Sequence, residues 1–134
     1  MAFSRLPSHH DFLDAQGATG VGTAIDVSYY QHVTVAIASD NSANLIVQCQ
    51  SSVSSTEPTL GSAAALDNEW SYTQMTDVED ATVILVGDTG VVFSGADDVI
   101  LATVDVSGVK WLNFRVTAHS AGDVTVRGFF VNNQ

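Results

Sequence analysis

From residue 23 onward apolar and polar residues alternate with a period of two, the pattern of strands that bury one face. Val33, Val35 and Ile37 alternate with His32, Thr34 and Ala36, and Leu45, Val47 and Cys49 alternate with Ile46, Gln48 and Gln50. Ser39-Asp40-Asn41-Ser42-Ala43-Asn44 lies between the two runs and is rich in turn formers, so a hairpin is expected there. A loop of Ser, Thr and Pro58 leads to an expected strand at 69–73, followed by strands at 81–86, 91–93 and 99–104. A last hairpin is expected to pair 111–117 with 124–131 across His119-Ser120-Ala121-Gly122-Asp123. Residues 11–15 could form a helical turn, too short to stand alone, and residues 62–69, with Ser62-Ala63-Ala64-Ala65-Leu66, are the other helical candidate. Many short strands separated by turn signals predict an all-β chain, a single antiparallel β-sandwich or jelly roll.

The pattern also repeats. Ile25-Asp26-Val27-Ser28 and its following run return as Val104-Asp105-Val106-Ser107 and its own, at an offset of 79 residues. The offset holds without a gap through Val33/Leu112, Val35/Phe114, Ile37/Val116, Leu45/Val124 and Val47/Val126. One unit, a turn followed by two alternating strands, is therefore used twice, and nothing chemical repeats with it.

Residues 1–22 show no useful period and end in the Gly-rich stretch 17–22, so they read as an irregular N-terminal arm in front of a β-sandwich domain at 23–134. The arm carries Phe3, Leu6, Phe12 and Leu13, which must pack on their own subunit or on a neighbour. In the last hairpin, turning Leu112, Phe114, Val116, Val124 and Val126 inward fixes the outer face by parity. Arg115 is then expected opposite Arg127, Asn113 opposite Phe129, and Trp111 opposite Val131. Like charges directly opposite one another are destabilising, so an acidic group should answer the two arginines. Either a carboxylate of the same chain does so, or this face of Trp, Phe and Arg docks a neighbouring subunit.

The chain has 134 residues, 46% of them hydrophobic and only 14% charged, with a formal charge of −11. A length of this order fits one domain. A low-charge surface is poorly protected against association, so a homo-oligomer is expected. Four basic residues against fifteen acidic ones cannot build a stripe that displaces counterions from phosphates, so neither nucleic acid nor an anionic membrane is an expected partner. No apolar run follows Met1-Ala2-Phe3-Ser4-Arg5 to make a signal peptide, so synthesis in the cytosol is expected. Cys49 is the single cysteine and alternates with Leu45 and Val47, which reads as a small core residue.

Candidate chemistry is thin. Asp88-Thr89-Gly90 and Gly95-Ala96-Asp97-Asp98 resemble pieces of the retroviral aspartic-protease signature, but four residues separate them and a hairpin turn explains the first. His9 and His10 are adjacent, a spacing that does not aim both at one metal ion. Asp77, Glu79, Asp80, Asp97 and Asp98 form no Asp-x-Asp-x-Asp-Gly loop for calcium. There is no nucleophile elbow, phosphate loop or dinucleotide fingerprint, and no enzyme activity, metal or cofactor is expected.

Val104-Asp105-Val106-Ser107-Gly108, then residues 111–118, then Val124-Thr125-Val126-Arg127-Gly128, form a motif of turn, strand and strand. It resembles the C-terminal hairpin of small β-sandwich virion structural proteins of tailed bacteriophages, over about the last thirty residues. The resemblance implies a virion protein, first of all a capsid decoration (cement) protein that locks the major capsid protein from outside, often as a trimer. Phe3, Leu6, Phe12 and Leu13 of the arm and the face of Trp111, Asn113, Arg115, Arg127 and Phe129 would then carry the contacts. A neck or tail subunit is the alternative, and a carbohydrate-binding module for host attachment is another, with Trp70 and Tyr72, or Tyr29 and Tyr30, as stacking aromatics.

Overall fold

The computed structural model describes residues 8–55, 70–95 and 97–130, which are all-β. Ten strands follow in order: β1 (Ser8–Gln16), β2 (Gly20–Val21), β3 (Ile25–Asp26), β4 (His32–Ser52), β5 (Ser71–Tyr72), β6 (Met75–Asp77), β7 (Ile84–Leu85), β8 (Val91–Ser94), β9 (Val99–Asp105) and β10 (Trp111–Phe130). They join into one antiparallel sheet of order β1-β10-β4-β9-β6-β7, with β2 and β3 also on β10, and β5 and β8 also on β4. Phe3, Leu6, Val131 and the helical candidate at 62–66 lie outside the described residues.

The two expected hairpins are absent. Instead β4 and β10 are single strands of 21 and 20 residues that run antiparallel along their whole length, from Trp111↔Ser52 to Phe129↔Thr34. Each bends where a turn was expected. Asn41 and Ser42 take positive φ in β4, Gly122 does so in β10, and the register shifts three times between Val116 and Asp123. A side chain at Gly122 would meet the Ala43 Cα at 2.4 Å and the Asp40 carbonyl oxygen at 2.6 Å, so only glycine lets the strands cross this closely.

The bend folds the sheet into two layers. The first contains β1, residues 123–130 of β10, residues 32–39 of β4, β9, β6 and β7. The second contains β2, β3, residues 111–118 of β10, residues 44–52 of β4, β5 and β8. Val33, Val35, Ile37, Val124 and Val126 of the first and Leu45, Val47, Leu112, Phe114 and Val116 of the second are at most 2% exposed and share one core. The Phe12 and Phe114 rings, 4.9 Å apart, bridge the layers.

The sequence repeat is now physical. Val27 N donates to Lys110 O at 2.8 Å, and Val106 N donates to Gln31 O at 2.8 Å, equivalent bonds at the offset of 79. Trp111↔Asp26 is likewise repeated as His32↔Asp105, and Ser28 N→Asp26 Oδ1 as Ser107 N→Asp105 Oδ1, both 2.9 Å. The two units face each other across an approximate two-fold axis through the bend, and each expected hairpin partner is replaced by the matching half of the other unit.

Residues 8–16, expected in the irregular arm, form β1 at the edge of the first layer. Register shifts between Asp11 and Leu13 and between Leu13 and Gln16 turn Phe12 and Leu13 inward together, each 2% exposed. Such bulges destroy the alternation that would have revealed the strand.

Candidate assembly surface

The two layers present very different outer faces. On the second, Asn113 is 0% exposed, Gln50 2%, Ser52 4% and Gln48 6%. Their polar ends are largely taken up by the chain itself: Asn113 Nδ2 donates to Gly22 O at 3.0 Å, and Gln48 Nε2 donates to Gly87 O and Asp88 O at 2.9 and 3.0 Å. Beside them Trp111 Nε1 donates to Ser54 O at 3.1 Å.

The first layer's outer face is open and mixes apolar with polar side chains, and strand pairing orders it in rows. One row runs His9, Phe129, Thr34, Thr103, Thr76, Ile84. The next runs Asp11, Arg127, Ala36, Leu101, with Val78 hydrogen-bonded to Leu101, and a third runs Thr125, Ala38, Val99. Val99 is 64% exposed, Val78 49%, Leu101 47%, Ile84 46% and Phe129 38%. Thr34, Thr103 and Thr76 separate Phe129 from Ile84, so the group that lies together is Val78, Val99 and Leu101, and such a group on one sheet face suits an interaction surface. Ala36 and Ala38 keep its middle low. A depression of about 400 Å³ opens beside them, with Val78, Val99 and Leu101 in its lining and Asp77, Glu79 and Asp98 among its acidic groups.

Carboxylates lie on both borders of this face. Arg127 Nε bonds Asp11 Oδ1 at 2.6 Å on the β1 border, and this hydrogen bond holds the Asp11 carboxyl below the ordinary carboxylate range. Asp77 and Glu79 lie on the opposite, β6 border, and Asp98 precedes β9 beside Ser39. Arg127 and Arg115 do not face one another: Arg127 lies between Asp11 and Ala36, and Arg115 between Val21 and Gln48. The answer to Arg127 is intramolecular.

The expected contact residues are therefore divided. Arg127 and Phe129 lie on the open face; Trp111, Asn113 and Arg115 lie on the covered layer, and Asn113 has no surface to offer. Phe12 and Leu13 are core residues rather than contacts. Val78, Ile84, Val99 and Leu101 were missed because alternation reveals which face a residue takes, not whether that face is covered.

Other candidates are absorbed by the fold. Asp88-Thr89-Gly90 is the turn between β7 and β8, with Gly90 at φ +75 and its N–H on Val86 O. Asp77, Asp80, Asp97 and Asp98 accept backbone N–H bonds from Glu79, Thr82, Ser42 and Val99, and no group of three metal-ligating side chains occurs among the described residues. His9 packs on Phe129 and His10 on Phe12. Burial pushes the Cys49 thiol up, which keeps it protonated. Trp70 is 5% exposed and Tyr30 packs on Phe130, which leaves Tyr29, at 80%, as the exposed member of the proposed sugar-stacking aromatics, beside half-buried Tyr72.

No protein-family model matches the sequence, and no curated protein matches it. The fold does have a match. The solved structure of the SPBc2 prophage-derived protein YomS aligns with a TM-score of 0.66 at 16% identity, over 96% of each chain. At that identity the likeness is one of fold, and it spans both layers and both repeats.

Proposed function

We propose that this protein is a non-enzymatic structural component of a bacteriophage particle, a decoration protein that binds the outer surface of the capsid and stabilises the shell. The observation that carries the reading is the open first-layer face on a domain whose carboxylates, histidines and cysteine serve turns, packing and core. A domain with Val78, Val99 and Leu101 exposed together on one sheet face suits a part of an assembly. The full-length likeness to a prophage-derived protein supports a phage setting, and the repeat at the end of the chain resembles phage virion proteins in the same way.

Co-sedimentation with empty, expanded heads of the phage that encodes it tests the proposal. Saturable binding, with heads that withstand heating better when coated, is expected. Heads that pellet without the protein at saturating concentration would refute the capsid role.

A further inference from the structure

The depression of about 400 Å³ beside β9 sets three exposed aliphatic side chains, Val78, Val99 and Leu101, among the carboxylates of Asp77, Glu79 and Asp98. Backbone bonds fix its walls. Val78 N donates to Leu101 O at 3.0 Å, which holds Val78 against β9. At the other end Ser39 N donates to Asp98 O at 2.9 Å, and Asp98 N donates to Ser39 Oγ at 2.8 Å. Asp77 Oδ1 accepts from Glu79 N and Asp98 Oδ1 accepts from Val99 N. One oxygen of each carboxylate is thus used locally, and the other takes no hydrogen bond among the described residues.

No basic side chain among the described residues answers these three carboxylates. Lys110 is paired with Asp26, Arg127 with Asp11, and Arg115 stands on the other layer between Val21 and Gln48. A second copy, with the same formal charge of −11, would bring carboxylates to carboxylates, and phosphate-bearing partners are repelled by the same sign. A metal ion needs ligands that converge on one point, and no group of three metal-ligating side chains occurs among the described residues. An extended organic cation has no such need. Arginine spreads five N–H donors over a planar fork and carries an aliphatic stem that packs on apolar surface while its head stays at a polar rim.

We infer that the depression between β6 and β9 docks an arginine of a partner protein, with its stem and an adjacent apolar residue on Val78, Val99 and Leu101 and its guanidinium at the carboxylates of Glu79 and Asp98. Floor and rim divide the work. The aliphatic floor supplies contact area, and the acidic rim selects the sign of the partner and rejects acidic ones. The inference rests on the decoration reading only for the partner's identity: the arginine then belongs to the outer surface of the coat subunit.

Titration of the methyl-labelled full chain with the peptide acetyl-Ser-Leu-Arg-Leu-Ser-amide, followed by methyl chemical shifts in nuclear magnetic resonance, tests it with no phage particle present. Saturable shifts are expected at the methyls of Val78, Val99 and Leu101. Glutamate in place of the peptide's arginine should weaken binding by more than about tenfold, because like charges then meet. Leu101→Ser should weaken it by about tenfold, as for a central apolar contact. Glu79→Gln should weaken it by about threefold, the scale of an exposed ion pair. The remaining methyl signals show that each variant is folded. No shift at these methyls up to the solubility of the peptide, equal binding of the arginine and glutamate peptides, or wild-type affinity in either variant overturns the inference. Head binding is measured separately, so peptide binding without head binding rejects the capsid role alone, and head binding without peptide binding rejects this site alone.

Discussion

Two outer faces of one folded sheet, built from the same two strands, have opposite fates. At the centre of the second layer the outward residues Gln48, Gln50, Ser52 and Asn113 are at most 6% exposed, with most of their polar groups bonded to the chain's own loops, while towards the bend Ile46 pairs with Val92, which is 53% exposed. Across the first they include Thr34, Ala36, Ala38, Thr103, Leu101, Val99, Arg127 and Phe129, with no such cover among the described residues. An approximate two-fold axis relates the layers, so the difference comes from side chains and insertions and not from topology. Where the chain covers its own sheet it uses amides, which need partners held in fixed places. Where it leaves the sheet bare it uses aliphatics and Phe129 among threonines, short side chains whose hydroxyls need no partner while they face water.

The sharpest break in the comparison comes from truncating the two aromatics of β10. Phe114→Ala removes a fully buried ring that joins the layers and should cost about 3–5 kcal/mol in chemical denaturation. Phe129→Ala, at a ring that is 38% exposed and packs on His9, should cost the monomer much less. Equal losses from both would show that the first-layer face is packed in the free protein.

The amides of the covered face should separate from each other next. Asn113→Ala strips partners from Gly22 O and Phe114 N inside the layer, and about 1–3 kcal/mol should be lost. Gln50 has a buried Nε2 with no hydrogen-bond partner, so Gln50→Leu is expected to be neutral or stabilising when both variants are compared by chemical denaturation.

The repeated turns give a smaller contrast. Partial burial opposes the charge on Asp26, but hydrogen bonds from Lys110 Nζ at 2.7 Å and from Ser28 outweigh it and hold the carboxyl at about 2. In Asp105 the bonds come from Ser107, with no lysine at the equivalent place, and its carboxyl is also lowered. A carboxyl lowered by folding stabilises the native state above its unfolded value, 3.8 for Asp26, and that contribution fades as pH falls towards 2. Asp26→Asn should therefore flatten the acid limb of the stability curve more than Asp105→Asn does. An equal effect of the two would remove Lys110 from the explanation.

Much of the architecture was legible from alternation: the inward residues of β4, β9 and β10 are those that period two selects. Strand partners were not. Polar residues such as Asp40-Asn41-Ser42 and His119 to Asp123 have the chemistry of a turn whether the chain reverses or only bends, because both need positive φ and satisfied backbone groups. The offset of 79 held the missing information, since two equal bent strands can pair with each other more extensively than either can with itself. β1 was hidden by its bulges, and the open face was hidden because it depends on which loops fall over which layer.

The most direct test of the account is the protein composition of purified phage particles, read by quantitative mass spectrometry against the major capsid protein. The account predicts this chain in a fixed ratio to the coat subunit, falling when the capsid shell is stripped and not when tails are removed. Its absence from purified particles, or its loss with the tails, would contradict it.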